Sequence, residues 1–373
     1  MQFIDLGAQQ RRIRSELDSR MAAVLEHGQY ILGPEVVELE SDLARRAGVK
    51  HCIGVANGTD AIQLALMALG VGPGDQVITP AFSYIAAAEV IALLGAVPVF
   101  VDIDPISYNV DPAAVAAAIT DRTRAIIPVD LFGQCADYDA IAGIAANNGI
   151  PIIEDAAQSF GARYRGRPAG SLGRIATTSF FPSKPLGCYG DGGACFTDDD
   201  HLAMLLRSIR AHGQAKRYYH VRVGVNARLD TLQAAILLAK LEVFDDEIAL
   251  RDAAAQRYHA LIAEAALDRH GIVIPLISEG QNSVWAQYTI RTPRRAEVMK
   301  KMAEAGVPTT IHYPRALHQQ EVFAETASVP ASVPHSERAA DEVLSLPMHP
   351  YLVAEDQQRV VNALLSAVES LHA

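Results

Sequence analysis

Three short stretches carry residue types that do chemistry together. In Pro151-Ile-Ile-Glu154-Asp155-Ala-Ala-Gln158, apolar residues run straight into two acids, which predicts a carboxylate at the carboxyl end of a buried strand. That place suits a partner for a cationic ring nitrogen; it equally suits an Asp that caps the following helix. In Thr177-Thr178-Ser179-Phe180-Phe181-Pro182-Ser183-Lys184, an amine stands between an apolar strand and the turn Gly187-Cys-Tyr-Gly190-Asp-Gly192-Gly193. A lone Lys is almost always a solvated charge, but one held out of water has a lowered pKa and can form a Schiff base. In Val55-Ala-Asn57-Gly58-Thr59-Asp60-Ala61, an apolar run ends at a small turn and a helical pattern begins at once. The free N–H groups of such a first turn, with the Thr59 hydroxyl, make a phosphate cup. A glycine turn capped by Thr59 or Asp60 accounts for the same residues.

Each signal is weak by itself. In this order they form the set that pyridoxal phosphate needs: Lys184 for its aldehyde, Asp155 for its ring nitrogen, and a hydroxyl-lined helix N-terminus for its phosphate. Gly70-Val-Gly72-Pro-Gly74 precedes a strand pattern instead of following one, so it reads as a turn and not as a nucleotide fingerprint.

The elements that must position these groups are an alternation of short apolar runs and Ala/Leu-rich stretches. Strands are expected at 51–56, 76–79, 97–101, 125–131, 151–154, 175–181 and 193–197, and helices at 60–68, 83–94, 112–118 and 138–147. Continuous apolar strands alternating with helices predict an α/β fold with a mixed, mostly parallel sheet covered on both faces. Ligands of such sheets collect beyond the carboxyl ends of the strands. A long helical pattern from Leu229 to about Ala266 leads to a strand at 284–291, a helix at 295–305 and a terminal helix at 354–371. We expect a large domain over residues 1–249, with its N-terminal segment, and a smaller α+β domain over 250–373. Residues 324–336 read as a flexible surface loop.

The chain has 373 residues, half of them hydrophobic and 20% charged, which excludes global disorder. A net charge of −11 argues against a general nucleic-acid binder. Cys52, Cys135, Cys188 and Cys195 form no CxxC pair, as expected in a reducing cytosol. Asp5 and the lack of an apolar run near the start predict no signal peptide. The most apolar stretch, 85–101, is broken by Glu89, Gly95 and Pro98, so no membrane span is expected. The expectation is a cytoplasmic enzyme.

Gly58-Thr-Asp-Ala61, Ile152-Ile-Glu-Asp-Ala-Ala-Gln-Ser159, Ser179-Phe-Phe-Pro-Ser-Lys-Pro-Leu-Gly-Cys-Tyr-Gly-Asp-Gly-Gly193, Arg210-x-His-Gly213, Asn226-x-Arg228 and His312-Tyr-Pro314 together resemble the DegT/DnrJ/EryC1/StrS family. Its members are pyridoxal-phosphate-dependent nucleotide-sugar aminotransferases of fold type I, the aspartate aminotransferase fold. The resemblance runs from Ile4 to the last helix. Ser183 to Gly193 looks most like the branch that aminates C3 of UDP-2-acetamido-2-deoxy-3-oxo-glucuronic acid for surface polysaccharide such as O-antigen, with L-glutamate as donor. The resemblance implies Lys184 as the Schiff-base lysine and Asp155 as partner of the pyridine nitrogen. It places Gln158 near the phenolic oxygen, Tyr84 on the ring, and Gly58, Thr59 and Ser179 on the phosphate. Asn226 would reach that phosphate from the neighbouring subunit of a homodimer, and His312, Tyr313 and His318 would face the sugar. Phe82, an alternative stacker, reads better as a core aromatic. Dehydratases of the family carry His in place of the Lys. Two other readings stay open: an aminotransferase for a dTDP-linked 3- or 4-keto-6-deoxy sugar, and a non-catalytic, cofactor-binding regulatory protein.

Between Asp200 and Asp230 no acid occurs, yet Arg207, Arg210, Lys216, Arg217, Arg222 and Arg228 do. Such a segment in an acidic chain suits phosphates or carboxylates. Arg207 and Arg210 read as solvated or subunit-facing, whereas Arg228 is the expected contact to substrate or cofactor. Tyr218 and Tyr219 are candidates for the nucleotide. His312, His318, His335 and His349 lack compact metal-ligand spacing, and no metal is expected.

Overall fold

The β-branched runs become strands whose register carries the site residues to one rim. In the computed structural model, which describes residues 1–371, one half-sheet comprises β1 (His51–Val55), β5 (Ile153–Asp155), β8 (Ile175–Ser179) and β9 (Gly193–Thr197) in the order β1-β9-β8-β5. The other comprises β2 (Gln76–Pro80), β3 (Val97–Val101) and β4 (Thr123–Ile126) in the order β3-β2-β4. Parallel bridges Ile126↔Ile152 and Val129↔Asp155 join the halves into one sheet. Strand β9 runs antiparallel to both neighbours and the other pairings are parallel, as a mixed, mostly parallel sheet requires. Two small ribbons lie outside it: β6 (Arg163–Tyr164) with β7 (Arg167–Pro168), and β10 (Gln214–Lys216) with β11 (Tyr219–His220).

Helices α1 (Leu6–Arg12), α2 (Arg14–His27) and α3 (Pro34–Ala47) precede the sheet. The crossovers are α4 (Gly58–Ala68), α5 (Ala86–Leu93), α6 (Pro112–Ala118), α7 (Tyr138–Asn148) and α8 (Asp200–Ile209). Ile62, Leu66, Val90, Ile91 and Leu206 from α4, α5 and α8 share one core with Ile53, Val77 and Ile175 of the strands. Leu39 and Leu43 of α3 share another with Phe196 and with α9 (Thr231–Glu264).

Helix α9 is unbroken through residue 250. Its Leu237, Leu241 and Phe244 belong to the sheet-side core, while Ala254, Tyr258 and Ile262 belong to a second core. That second core is closed by the hairpin of β12 (Tyr288–Arg291) and β13 (Val343–Leu346) and by α10 (Arg295–Glu304) and α12 (Ala354–Glu369). The chain does not divide cleanly by position. Met1 packs on this second core, and Ala316 with Ala339 and Ala340 of α11 (Pro334–Glu342) forms a further core with Phe82 and Ile103 from the first half of the sequence.

Two expectations need correction. The strand expected from Val284 begins only at Tyr288, because Trp285 turns the backbone to φ 50°. The segment 324–336 is not a free loop: Ser328 N donates to Pro98 O and Phe100 N donates to Ser328 O, each at 2.9 Å, and α11 starts at Pro334. Among the described residues no helix is long and apolar enough to cross a membrane.

Candidate active site

The alternation of side chains along β5 separates the two adjacent acids. Glu154 points into the protein, where it accepts from Gly170 N at 2.6 Å and Leu172 N at 2.7 Å. Asp155 ends the strand; its Oδ1 accepts from Ala157 N at 3.1 Å. Burial raises its pKa, opposed by the Ala157 N–H and by Lys184. The helix-cap explanation thus fails: Asp155 reaches two residues on into a turn, and no helix begins there.

Lys184 lies beyond β8 in a tight turn, its N–H donating to Phe181 O at 2.9 Å. Burial lowers its amine to about 8, and Asp155 only partly offsets this. His312 feels the same amine: burial first, then the Lys184 charge, pushes it down to about 4. Its Nδ1 lies 2.9 Å from Ser345 Oγ. Gln158, buried after Asp155, accepts from Phe132 N at 3.0 Å and donates to the Tyr313 hydroxyl at 3.3 Å. Tyr84 is 56% exposed with its ring centroid 5.9 Å from that of Tyr313. Phe82 is fully buried and meets Tyr313 edge-on at 6.3 Å, a core aromatic as its surroundings suggested.

The turn after β1 forms the cup. Asn57, not Thr59 or Asp60, caps α4, its Oδ1 accepting from Asp60 N at 2.7 Å. The N–H groups of Gly58 and Thr59 are thereby left for a ligand. A Cβ on Gly58 would lie 2.6 Å from Ser179 Cβ, so β8 and α4 approach as closely as a side-chain-free residue permits. Beside them Ala56 N donates to Ala227 O, and Arg228 bridges to Val55. Among the described residues Arg228 Nε is buried without a partner, while Asn226 is exposed.

Arg210 stands elsewhere than its sequence suggested, and Tyr218, Tyr219 and His318 have partners of their own. Arg210 is not solvated: it is buried and pairs with Glu40 and Gly54 O. Tyr218 and Tyr219 are exposed, stacked with Arg217 and Lys216 on the β10–β11 ribbon. His318 faces Glu337 at 3.1 Å, and no contact ties it to Lys184 or Asp155. Sequence reasoning missed Asp130, which lies fully buried behind Asp155 and accepts from Ala136 N, Tyr138 OH and Ser159 Oγ at 2.8–3.0 Å. Its only signal was an acid closing the apolar run 125–129.

These groups fit pyridoxal phosphate. A depressed amine suits the aldehyde, a buried carboxylate suits a protonated ring nitrogen, and a cup that a Cβ would fill suits the phosphate. Fold and site together define a fold type I pyridoxal-phosphate enzyme. The chain belongs to the DegT/DnrJ/EryC1/StrS aminotransferase family, whose profile matches residues 11–365. It is 58% identical to a UDP-2-acetamido-2-deoxy-3-oxo-D-glucuronate aminotransferase of Pseudomonas aeruginosa over 94% of this chain and 96% of that protein. Among solved structures, S. venezuelae DesV in complex with a ketimine intermediate superposes with a TM-score of 0.94 and 41% identity, covering 99% of this chain and 98% of that one. Bacillus subtilis NtdA with bound cofactor PMP gives a TM-score of 0.89 and 33% identity over 98% and 83% of the two chains. The chain is accordingly a pyridoxal-phosphate-dependent aminotransferase.

Proposed function

We propose that this enzyme moves the amino group of L-glutamate to C3 of UDP-2-acetamido-2-deoxy-3-oxo-glucuronic acid, supplying an amino sugar for surface polysaccharide in the cytoplasm. The near full-length similarity to the P. aeruginosa aminotransferase carries the choice of substrate.

When bound, pyridoxal phosphate supplies an aldehyde for amine exchange and a ring that withdraws electrons from the reacting carbon. Gly58, Thr59 and Ser179 hold the phosphate. Asp155 keeps a proton on the ring nitrogen: its charge is buried, and among the described residues Lys184 is the cation that acts on it. Lys184 Nζ holds the aldehyde at rest and, once released, takes and returns the proton of the donor's Cα; an amine near 8 is matched to that task. Gln158 and Tyr313, joined to each other, and Tyr84 bound the ring's surroundings, with His312 neutral beside them. Arg228 and His312 face the anionic sugar, and His318, held by Glu337, borders it from farther out.

Asn226 acts across a homodimer in this reading. Its exposure, and that of Tyr218, Tyr219, Val221 and Val223 nearby, supports a covered interface. Mixing inactive Lys184→Ala with an inactive Asn226 variant restores activity if sites are shared; no recovery after verified exchange refutes sharing.

The deciding experiment is a visible spectrum of the cofactor-loaded protein before and after L-glutamate, followed by the 3-keto sugar. The band of the lysine-linked cofactor fades as 2-oxoglutarate forms, then returns with the UDP-sugar acceptor. A band that glutamate leaves unchanged refutes the donor. Return only with a dTDP-linked 6-deoxy sugar refutes the acceptor. Lys184→Ala binds cofactor without turnover.

A further inference from the structure

Helix α9 buries a cation that the proposed chemistry does not use. Lys240 is 2% exposed, on a helix whose Leu237, Leu238 and Leu241 pack in the sheet-side core. A leucine or methionine would fill such a place without taking an ammonium out of water, and a lysine is almost never fully buried unless paired.

Its partners lie on the chain just beyond Lys184. Lys240 Nζ donates to Gly187 O and stands 4.3 Å from the centre of the Tyr189 ring. Gln233, seven residues earlier on the same face of α9, accepts from Tyr189 N at 2.9 Å and donates to Tyr189 O at 3.3 Å. Glu247, seven residues later, is also 2% exposed and supplies the counter-charge; it is held by Gln9 Nε2 at 2.7 Å and by Tyr351 OH. Burial lowers the Lys240 amine to about 8, with Glu247 and Cys188 opposing, so at neutral pH it is the ammonium that holds Gly187 O.

The held carbonyl belongs to a closed loop. Phe180 O accepts from Cys188 N at 2.8 Å, which closes residues 181–187 with Lys184 in the middle. A Cβ on Gly187 would stand 2.6 Å from both Phe181 O and Pro182 O, so the outgoing and returning limbs touch backbone to backbone. A shift of Gly187 is therefore passed to both limbs and to the residue between them.

We propose that Lys240 is a positioning residue for Lys184: from α9 it grips the returning limb of the loop and so fixes where the reacting amine stands. It acts through the backbone and touches neither the amine nor the cofactor. The inference rests on Lys184 as the Schiff-base residue of the proposed function.

Two probes added to cofactor-free protein test it. Pyridoxal phosphate bonds to Lys184, whereas pyridoxamine phosphate, with an amine in place of the aldehyde, fills the same cup and bonds to no lysine. In Lys240→Met the buried Gly187 carbonyl loses its donor. Attachment of pyridoxal phosphate, followed by the visible band, slows about tenfold, because a small misplacement of a reacting group costs rate steeply. The Kd of pyridoxamine phosphate, measured by calorimetry, is unchanged. A merely structural role loosens the cup and weakens both probes alike; that result, or an unaltered rate of attachment, overturns the proposal. If Lys240→Met does not fold, Lys240→Met with Glu247→Gln removes both charges and leaves Gln9 and Tyr351 a group to bond, with the same two readouts. Lys184→Ala separates the two possible failures. Should it still develop the parent's band, the reading of Lys184 is wrong; should it lose the band while Lys240→Met attaches cofactor at the parent's rate, only the positioning role is refuted.

Discussion

A Cβ built on Gly58 would stand 2.6 Å from the Cβ of Ser179. The N-terminus of α4 and the end of β8 therefore meet at backbone range, and the cup exists because residue 58 has no side chain. Gly58→Ala forces the two apart. Its affinity for pyridoxal phosphate falls about tenfold or more, ~1.4 kcal/mol, and the melting temperature of the cofactor-free protein falls as well, because the atoms that must give way are Ser179 Cβ and Cα. Titration of the visible band measures it; unaltered affinity would refute the cup.

Lys184 gives a pH signature of its own. Burial disfavours its ammonium and sets the amine at about 8, below the ordinary 10.5. Only the neutral amine attacks an aldehyde. In cofactor-free protein the rate of cofactor attachment rises through about pH 8 and levels off above it. A rise that continues to pH 10 would mean that the lysine is solvated.

Asp130 and Glu154 make the empty protein acid-loving. Burial raises them to about 7 and about 8, from 3.8 and 4.5, with the charge of Asp155 adding to the rise at Asp130 and that of Asp130 to the rise at Glu154. The native state then binds more protons than the unfolded chain between about pH 4 and 8, so stability falls as pH rises across that window. Asp130→Asn removes one of the two groups and relieves the other. Its melting temperature falls less between pH 5 and 8 than that of the parent; an equal or steeper fall contradicts this.

Arg210 and Glu40 form a nearly enclosed pair, with 9% and 14% of their side chains exposed. Glu40 Oε1 also accepts from Gly54 N at 2.9 Å, and Arg210 donates to Gly54 O at 2.8 Å. Arg210→Met leaves a buried carboxylate unpaired and costs about 3–5 kcal/mol. Adding Glu40→Met recovers most of that loss in a denaturant titration; additivity of the two changes would show that they do not interact.

Much of this architecture is legible in the residues. Buried parallel strands announce themselves as Val/Ile runs, and 76–80, 97–101 and 193–197 fall within a residue of expectation. The order cup, carboxylate, amine is equally visible, because each group must follow a strand end. Helices α1 and α2 were not, and the cause is physical: α2 buries only Leu17 and Val24, so its pattern reads as polar chain. Arg210 was misjudged for a related reason. A guanidinium's burial depends on Glu40, 170 residues away, and no local pattern reports such a partner. Asp130 was overlooked because its hydroxyl donors, Tyr138 and Ser159, come together only when β5 docks beside β4.

The pairing of Ser328 with Pro98 and Phe100 has a consequence beyond packing. Strand β3 ends the sheet on its side, and such a rim ordinarily offers unpaired N–H and C=O groups as a template on which another chain can grow. Here the protein's own segment occupies that template. The newly made sheet is thereby sealed against strand-by-strand growth once residue 328 has docked, which makes a surface segment of Ala, Ser, Val and Pro a guard against aggregation.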